Sequence, residues 1–286
     1  PIRAIRMGTL NAAAYFGLHD MGAVAPGYKA DLAVFDDLRT LNVKQVYKGG
    51  KLVAENGKML HQKEKNTDWS TEIKERVFHS FHRVPITVEE LQLKETTGTH
   101  QRVIDMVAHE LITKERIEEW KELPGVAPGV DISRDIVKLA AIERHKNTGH
   151  VGLGFLGKYG LKKGAVATSI GHDSHNLVIA GVTDEDMVLA GNRVIENGGG
   201  LAIALEGKVL ADLPLPIGGL MADEPVEVVD EKLEHMKKLS VELGISEDID
   251  AFMTLAFISL PVIPKLRLNT YGVVDVEKHQ VVEARF

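Results

Sequence analysis

The chain has 286 residues, of which 44% are hydrophobic and 26% charged, a composition typical of a globular protein with one large domain or two ordinary ones. Its net charge of −7 argues against binding to nucleic acid or to an anionic membrane. No cysteine is present, which excludes disulfides, thiolate metal sites and a cysteine nucleophile. No apolar run reaches the roughly 18 residues of a membrane span, and we expect a cytoplasmic protein.

The first predicted element is an amphipathic helix from Ile2 to Phe16, which Gly17 ends as a C-cap. Its expected buried positions are Ile5, Leu10, Ala13 and Ala14. Because the chain lacks an initial Met and enters this helical pattern at once, we expect it to come from the middle of a longer protein.

Short strands and turns follow the helix. Asp31–Phe35 reads as a strand, and Val43–Tyr47 pairs with Lys51–Ala54 in a hairpin across Lys48-Gly49-Gly50. Asn56-Gly57 is a second turn signal. We expect an exposed loop at Gln62–Asn66 and a domain boundary near residue 95, where the composition changes.

Two histidines, His79 and His82, have a spacing that would suit metal ligands on a helix. They precede Val84-Pro85, however, and a residue before proline disfavours helix. An extended connector is therefore the favoured interpretation.

The second half of the chain mixes strands and helices. Val103–Val107 is a predicted strand that Leu111–Lys114 can pair with, and Ser133 is predicted to cap a helix that runs to His145 and ends at Asn147-Thr148-Gly149. Val151–Leu156 is a strand whose two glycines, Gly152 and Gly154, indicate a close backbone approach or a strong bend.

A polar pentad between two apolar strands is the strongest candidate for chemistry. Ala165–Ile170 and Leu177–Ala180 are short and rich in small or β-branched residues, and five polar residues separate them: His172, Asp173, Ser174, His175 and Asn176. A turn needs Gly, Asn or Asp, but not two His around an Asp-Ser pair. Three hypotheses stay open, namely a loop that faces an active site, a buried polar network that holds the fold, and a metal site.

A second cluster, Glu143-Arg144-His145, lies at the end of the helix predicted from Ser133. Arg144 and His145 could meet the pentad if that helix packs against the two strands. Alternatively they are cations placed favourably at a helix C-terminus.

The remaining elements alternate helix and hairpin. Thr183 caps a helix through Ile195, with three acidic residues in its first turn. Leu201–Leu205 and Lys208–Asp212 form a hairpin, and Pro225–Leu243 is a helix. Phe252–Leu260 is apolar throughout, so its periodicity does not distinguish a helix from a buried strand.

Several enzyme motifs are absent from the sequence. It has no H-x-H pair, no H-E-x-x-H, no P-loop and no G-x-S-x-G. The glycine-rich segments at 152–160 and 198–200 have the wrong spacing or order for a dinucleotide fingerprint.

Residues 1 to about 60 resemble the end of an amidohydrolase-superfamily enzyme. The resemblance rests on N-A-A in the helix, on G-x-x-A-P-G-Y-x-A-D-L-x-V-x-D from Gly22, and on V-x-K-G-G-K-L-V-A from Val46. In that family the last barrel helix is followed by strands that complete a small β-sandwich, and the resemblance implies the same order here.

From residue 139 the chain resembles the C-terminal domain of microbial adenine deaminases. The segments that carry this are L-A-A-I-E-R-H-K-N-T-G, G-L-K-K-G-A-V-A-T-S-I-G-H-D-S-H-N, T-D-E-D-M-V-L-A-G-N-R and L-P-L-P-I-G-G-L-M-A-D-E-P. The implied fold is α/β (α+β), a β-sandwich remnant of an amidohydrolase plus a C-terminal mixed-sheet domain with flanking helices. We expect the last barrel helix at 1–16, sandwich and connector at 17–95, and the C-terminal domain at 96–286.

The resemblance implies hydrolysis of adenine to hypoxanthine and ammonia, with a binuclear Mn or Fe centre in a barrel that this chain lacks. We therefore predict no cofactor or metal ligand in this chain, and no activity for it alone. The expected partners are adenine, the N-terminal barrel and further copies of the protein, but neither nucleic acid nor membrane.

Site roles are predicted for the pentad and for the second cluster. His172, Asp173 and His175 are the predicted catalytic residues, and the predicted substrate-binding residues are Ser174, Asn176, Arg144 and His145. The alternative is a structural or oligomerisation module that makes no contact with an active site.

Overall fold

The chain divides into two structural units, Pro1–Asp68 and Trp69–Phe286. The structure is a computed structural model that describes residues 1–60, 69–93 and 97–286. The loop predicted at residues 62–66 and the boundary predicted near residue 95 lie outside the described residues.

The first unit begins with a helical stretch. It consists of α1 (Ile2–Arg6), a π-helical turn (Met7–Asn11) and α2 (Ala12–Tyr15), and Gly17 follows it with φ +68°. Ala13 is buried, but Ala14 is exposed, so the predicted buried face is wrong at that position. The wider π turn rotates the residues after it relative to a regular helix.

A small antiparallel sheet completes the described part of the first unit. Its strands pair in chain order and are β1 (Leu32–Phe35), β2 (Val43–Lys48), β3 (Lys51–Glu55) and β4 (Lys58–Met59). Gly49-Gly50 and Asn56-Gly57 form the two-residue turns, with positive φ at all four residues. Both predicted turns are confirmed, because such turns need positive φ and these residue types accept it most easily.

The second unit is built on a large mixed sheet of eight described strands. In chain order they are β5 (His100–Met106), β6 (Thr113–Glu119), β7 (Ile136–Ile142), β8 (Val151–Gly157), β9 (Ala165–Thr168), β10 (Leu177–Gly181), β11 (Gly200–Leu205) and β12 (Lys208–Pro214). Across the sheet their order is β12, β11, β9, β10, β7, β8, β5 and β6, and β5 and β8 are the one parallel pair among these described strands.

Helices cover both faces of this sheet. The four helices of the described part of this unit are α3 (Thr71–Phe78), α4 (Asp184–Glu196), α5 (Val226–Glu242) and α6 (Ala251–Ile258). Alternate residues of β10 belong to two cores: Leu177 and Ile179 lie with the apolar side chains of α4, and Val178 and Ala180 lie with those of α5 and α6. The central strands are therefore buried on both faces, which gives an α/β layered fold.

The predicted helix from Ser133 to His145 is wrong. Residues Ile136–Ile142 form β7, which lies between β10 and β8 and is buried along its whole length. Ser133 lies in a short 3-10 turn whose N-terminus is capped by Asp131. Burial on both faces removes the polar alternation of an ordinary strand, so the run of apolar residues imitates a helical pattern.

Most other predictions for this unit are confirmed. Thr183 accepts a hydrogen bond from the Asp186 N–H and caps α4. The ambiguous apolar run near the C-terminus is α6. Asp184 lies in the first turn of α4 and also forms a buried ion pair, in which it accepts a hydrogen bond of 2.6 Å from the ammonium of Lys138.

A third sheet packs against β8. Its described strands are β13 (Leu266–Asn269), β14 (Gly272–Asp275) and β15 (Gln280–Val282). A Cβ at Gly152 would lie 1.9 Å from the carbonyl oxygen of Asn269, so the close approach predicted at this glycine is confirmed. None of the helices in the described ranges is both long and apolar enough to cross a membrane.

Candidate functional site

The polar pentad lies in the connection between β9 and β10. These strands pair antiparallel, with Val178 opposite Thr168, so the connection projects from one end of the central sheet. Asp173 and Ser174 are exposed, whereas His172, His175 and Asn176 are half-buried. The sequence prediction of strand, polar turn and strand is confirmed.

The second cluster lies beside the pentad. Because β7 pairs with β10, with Ile142 opposite Leu177, Arg144 and His145 leave the sheet next to the loop. The Arg144 Nε donates to the carbonyl oxygen of His175, and the His145 Nε2 lies 2.7 Å from the carbonyl oxygen of Ser174. The two clusters meet through strand pairing, and the interpretation as cations at a helix C-terminus is wrong because no helix ends there.

Arg144 is a buried cation that ties several segments together. Only 2% of the surface of Arg144 is exposed to solvent. Its Nη2 donates to the carbonyl oxygen of Gly218 at 3.1 Å, and its Cζ lies 5.0 Å from the ring centroid of Phe81. Burial lowers the pKa of Arg144 to about 10, against the opposing attraction of Glu143, so it stays charged near neutral pH.

One guanidinium nitrogen of Arg144, the buried Nη1, has no hydrogen-bond partner among the residues that the structure describes. The buried Oδ1 of Asn176, in the adjacent loop, is likewise without a partner in those ranges. Buried polar atoms of this kind are costly unless another group satisfies them.

Glu143 fixes the turn that follows β7. Its carboxylate accepts hydrogen bonds from the backbone N–H groups of His145, Lys146 and Thr148 at 2.6 to 2.9 Å, and from the Thr148 hydroxyl at 3.1 Å. Burial alone would raise the pKa of Glu143, but these hydrogen bonds outweigh burial and lower it to about 2. The ionised carboxylate therefore organises the backbone next to Arg144.

Burial and a backbone hydrogen bond both favour the neutral form of the His175 imidazole. Burial lowers its pKa, and the electrostatic effects of Arg144 and His172 lower it further, while Asp173 acts in the opposite direction. Its Nδ1 accepts from the Gly171 N–H at 3.3 Å. The proton of the neutral ring is then on Nε2, which leaves this atom as a hydrogen-bond donor.

His172 is anchored from the other side, by α6. Its N–H donates to the carbonyl oxygen of Ala256 at 3.0 Å, and its ring centroid lies 4.6 Å from that of Phe257. The side chains of Asp173 and Ser174 make no hydrogen bond to any described residue. The loop therefore presents unpaired polar groups on a backbone that its neighbours hold in place.

Ser169 and Gly219 support this site, and the sequence analysis missed both. The Ser169 Oγ accepts from the Gly200 N–H at 2.7 Å and donates to the carbonyl oxygen of Gly219 at 2.6 Å. Gly219 has φ +73°, and a Cβ there would lie 2.6 Å from the Arg144 Nη1. The paired glycines Gly218-Gly219 were the sequence signal that could have marked this close approach.

The described residues do not fit a binuclear metal centre. Within residues 1–60, 69–93 and 97–286, no group of three or more His, Asp or Glu side chains could hold a metal ion. His172 and His175 have their ring centroids 6.3 Å apart, and no described residue joins them in a group of three that could hold a metal ion. No chemical step is therefore assigned to a metal in this chain.

Comparison with known proteins places the chain in a family. Residues 110–280 match the model of the adenine deaminase C-terminal domain. The chain belongs to the adenine deaminase C-terminal domain family. Residues 1–53 match the amidohydrolase family, so both resemblances seen in the sequence are confirmed.

Curated relatives match the chain almost from end to end. Adenine deaminase 2 of Carboxydothermus hydrogenoformans is 45% identical over 279 residues, which cover 97% of this chain and 47% of that protein. The adenine deaminases of Petrotoga mobilis and Bacillus pumilus are 43% and 38% identical, each over 98% of this chain and 48% of their own length. The chain thus spans about half the length of the adenine deaminases it matches.

Proposed function

We propose that this chain forms the C-terminal part of an enzyme that hydrolyses adenine to hypoxanthine and ammonia. The observation that carries the proposal is the loop His172–Asn176, whose unpaired polar groups stand on a backbone fixed by Arg144 and His145. The names of the relatives and the two family matches supply the reaction. In this proposal the loop covers the catalytic chamber of the complete enzyme.

Each loop residue has a role in the proposal. The exposed Asp173 and Ser174 contact the polar edge of the purine, and the Nε2–H of His175 donates a hydrogen bond within the chamber. Arg144 and His145 act as positioning residues, because their described hydrogen bonds to the loop go to its backbone. Asn176 and His172 complete the wall of the chamber.

The metal chemistry of the complete enzyme belongs to another part of it in this proposal. The amidohydrolase match suggests a metal-dependent enzyme, and we assign the predicted Mn or Fe centre to the barrel outside this chain. Residues 1–16 would then close that barrel as its last helix, and the chain alone would be inactive. The predicted homo-oligomer and the cytoplasmic location stay predictions.

The test is steady-state kinetics on the full-length enzyme. Asp173→Asn and Ser174→Ala should each lower kcat/KM for adenine by about tenfold, the effect of losing one hydrogen bond of about 1.4 kcal/mol to the substrate. Their melting temperatures should stay at the wild-type value, because neither side chain has a partner among the described residues. His172→Ala and His175→Ala should also impair deamination.

A matched control is Asp230→Asn, which makes the same change at an exposed position of α5 and should leave kcat/KM unchanged. Wild-type kcat/KM in Asp173→Asn, Ser174→Ala and both histidine variants would contradict a role in the chamber.

A structural or oligomerisation module is the second candidate. The contacts that favour it are the same backbone hydrogen bonds, since they tie β7, α6 and the loop together. Under this alternative His175→Ala lowers the free energy of unfolding by about 1 to 3 kcal/mol and leaves the turnover of the folded enzyme intact. Chemical denaturation and kinetics on the same variant separate the two functions.

A further inference from the structure

Arg267 is a buried charge outside the site described above. In β13 its neighbours Leu266 and Leu268 belong to the main core, so the alternation of the strand sends Arg267 to the opposite side. Its exposed fraction is nevertheless 0%. No ion pair joins it to any carboxylate in the described part of the chain.

The hydrogen bonds of Arg267 satisfy only one of its nitrogens. Nη2 donates to the carbonyl oxygens of Leu111 and Pro264. Nε and Nη1 are buried and have no partner among the described residues. Burial lowers the pKa of Arg267 to about 10, so the group stays charged near neutral pH. A buried charge without a counter-ion is strongly destabilising, and proteins normally pair it.

Arg267 lines a cavity of about 200 Å³. Most of the wall is apolar and comes from the segment before β6 and from α6, with Leu111, Ile112, Met253 and Phe257 among its side chains. An apolar cavity of roughly 150 Å³ is large enough to take a molecule the size of benzene. The cavity therefore has room for a small organic molecule, and Arg267, with two unpartnered nitrogens among the described residues, forms part of its wall.

We propose that this cavity binds a small monocarboxylate with a short apolar body, whose carboxylate pairs with Arg267. The guanidinium supplies charge-assisted donors to a carboxylate, and the apolar wall covers the body of the ligand. Glu110 lines the same cavity and would repel a second negative charge, which favours a monoanion over a dicarboxylate or phosphate. The site is independent of the function proposed for the pentad loop.

Calorimetric titration of the 286-residue chain with butyrate tests this proposal. Butyrate should bind with one site per chain, while butyramide, which has the same shape without the charge, and inorganic phosphate should bind at least about tenfold more weakly. Glu110→Gln should tighten butyrate binding by removing the repulsion at the cavity. Glu231→Gln, an exposed change in α5, should leave it unchanged.

Arg267→Met should abolish the preference for butyrate over butyramide. If that variant does not fold, Glu110→Gln still decides, because an exposed residue can be changed without disturbing the core. Equal affinity for butyrate and butyramide, tighter binding of phosphate, or a Glu110→Gln affinity no higher than wild type would each overturn the assignment.

Discussion

Glu143 and Arg144 show how single charged residues hold the candidate loop. Glu143 binds three backbone N–H groups of the turn after β7, and Arg144, the next residue, binds carbonyl oxygens of the pentad loop and of Gly218. Glu143 fixes the turn by which the chain leaves the sheet, and Arg144 holds the pentad loop and Gly218 beside that turn. The loop geometry therefore depends on the charge of both side chains.

The charge of Glu143 gives a prediction for the pH dependence of stability. Its pKa falls from an ordinary value of 4.5 to about 2 on folding, so the ionised form stabilises the fold above about pH 4.5, and this contribution is lost as the pH falls towards 2. After allowance for solvent exposure we expect Glu143→Gln to cost about 1 to 2 kcal/mol at pH 7. Urea denaturation at several pH values measures it.

The difference between wild type and Glu143→Gln should shrink as the pH is lowered from 5 to 3. Glu231→Gln, which changes an exposed glutamate in α5, serves as the control. Its free energy of unfolding should differ only slightly from that of wild type, by an amount that stays constant between pH 5 and 3. A Glu143→Gln difference that stays constant over this range would contradict the assigned charge effect.

Residues differ in how far the sequence reveals their roles. The pentad was found because five polar side chains between two apolar strands exceed what a turn needs. The sequence indicated that Arg144 could meet the pentad, but it did not indicate that Arg144 is buried. Its burial depends on Phe81 and Gly218, which are distant in sequence. Arg267 gave no signal, since a strand with one charged residue reads as half-exposed.

At the scale of elements, the central strands show the limit of pattern reading. β9 and β10 were predicted correctly because turn residues bound them on both sides. β7 was read as a helix because Ile136–Ile142 is apolar apart from Lys138, is buried on both faces and is followed by good helix formers. Hairpins joined by short glycine turns were predicted well, because their geometry is encoded locally.

The packing of β8 against the third sheet gives a prediction for Gly152. An added methyl group would lie 1.9 Å from the Asn269 carbonyl oxygen and 2.7 Å from the Gly272 nitrogen, so the third sheet would have to move. We expect Gly152→Ala to lower the free energy of unfolding by about 2 to 3 kcal/mol, as other overpacked cores do. Urea denaturation midpoints measure the change.

Gly8→Ala is the matched control, because a methyl group at Gly8 meets no atom within 4 Å. It should leave the midpoint unchanged or raise it slightly, since Ala is the better helix former. If Gly152→Ala were as stable as Gly8→Ala, β8 and the third sheet could not pack as closely as described.

At the scale of the whole molecule, two segments of the chain match two different protein families. Residues 1–53 match the amidohydrolase family and residues 110–280 match the adenine deaminase C-terminal domain, while the structure divides at residues 68 and 69. The relatives carry the same two segments within proteins about twice as long. Both families were recognised from the sequence, because several long motifs occur in the family order.

The central claim is that the His172–Asn176 loop faces the adenine site of the complete enzyme. Photolabelling of the full-length protein with 8-azidoadenine, followed by tryptic digestion and mass spectrometry, tests it most directly. Trypsin cuts after Lys163 and Arg193, so the loop lies in one peptide, residues 164–193. The account predicts label in this peptide that excess adenine removes. Adenine-sensitive label found only in peptides outside this chain would contradict the claim.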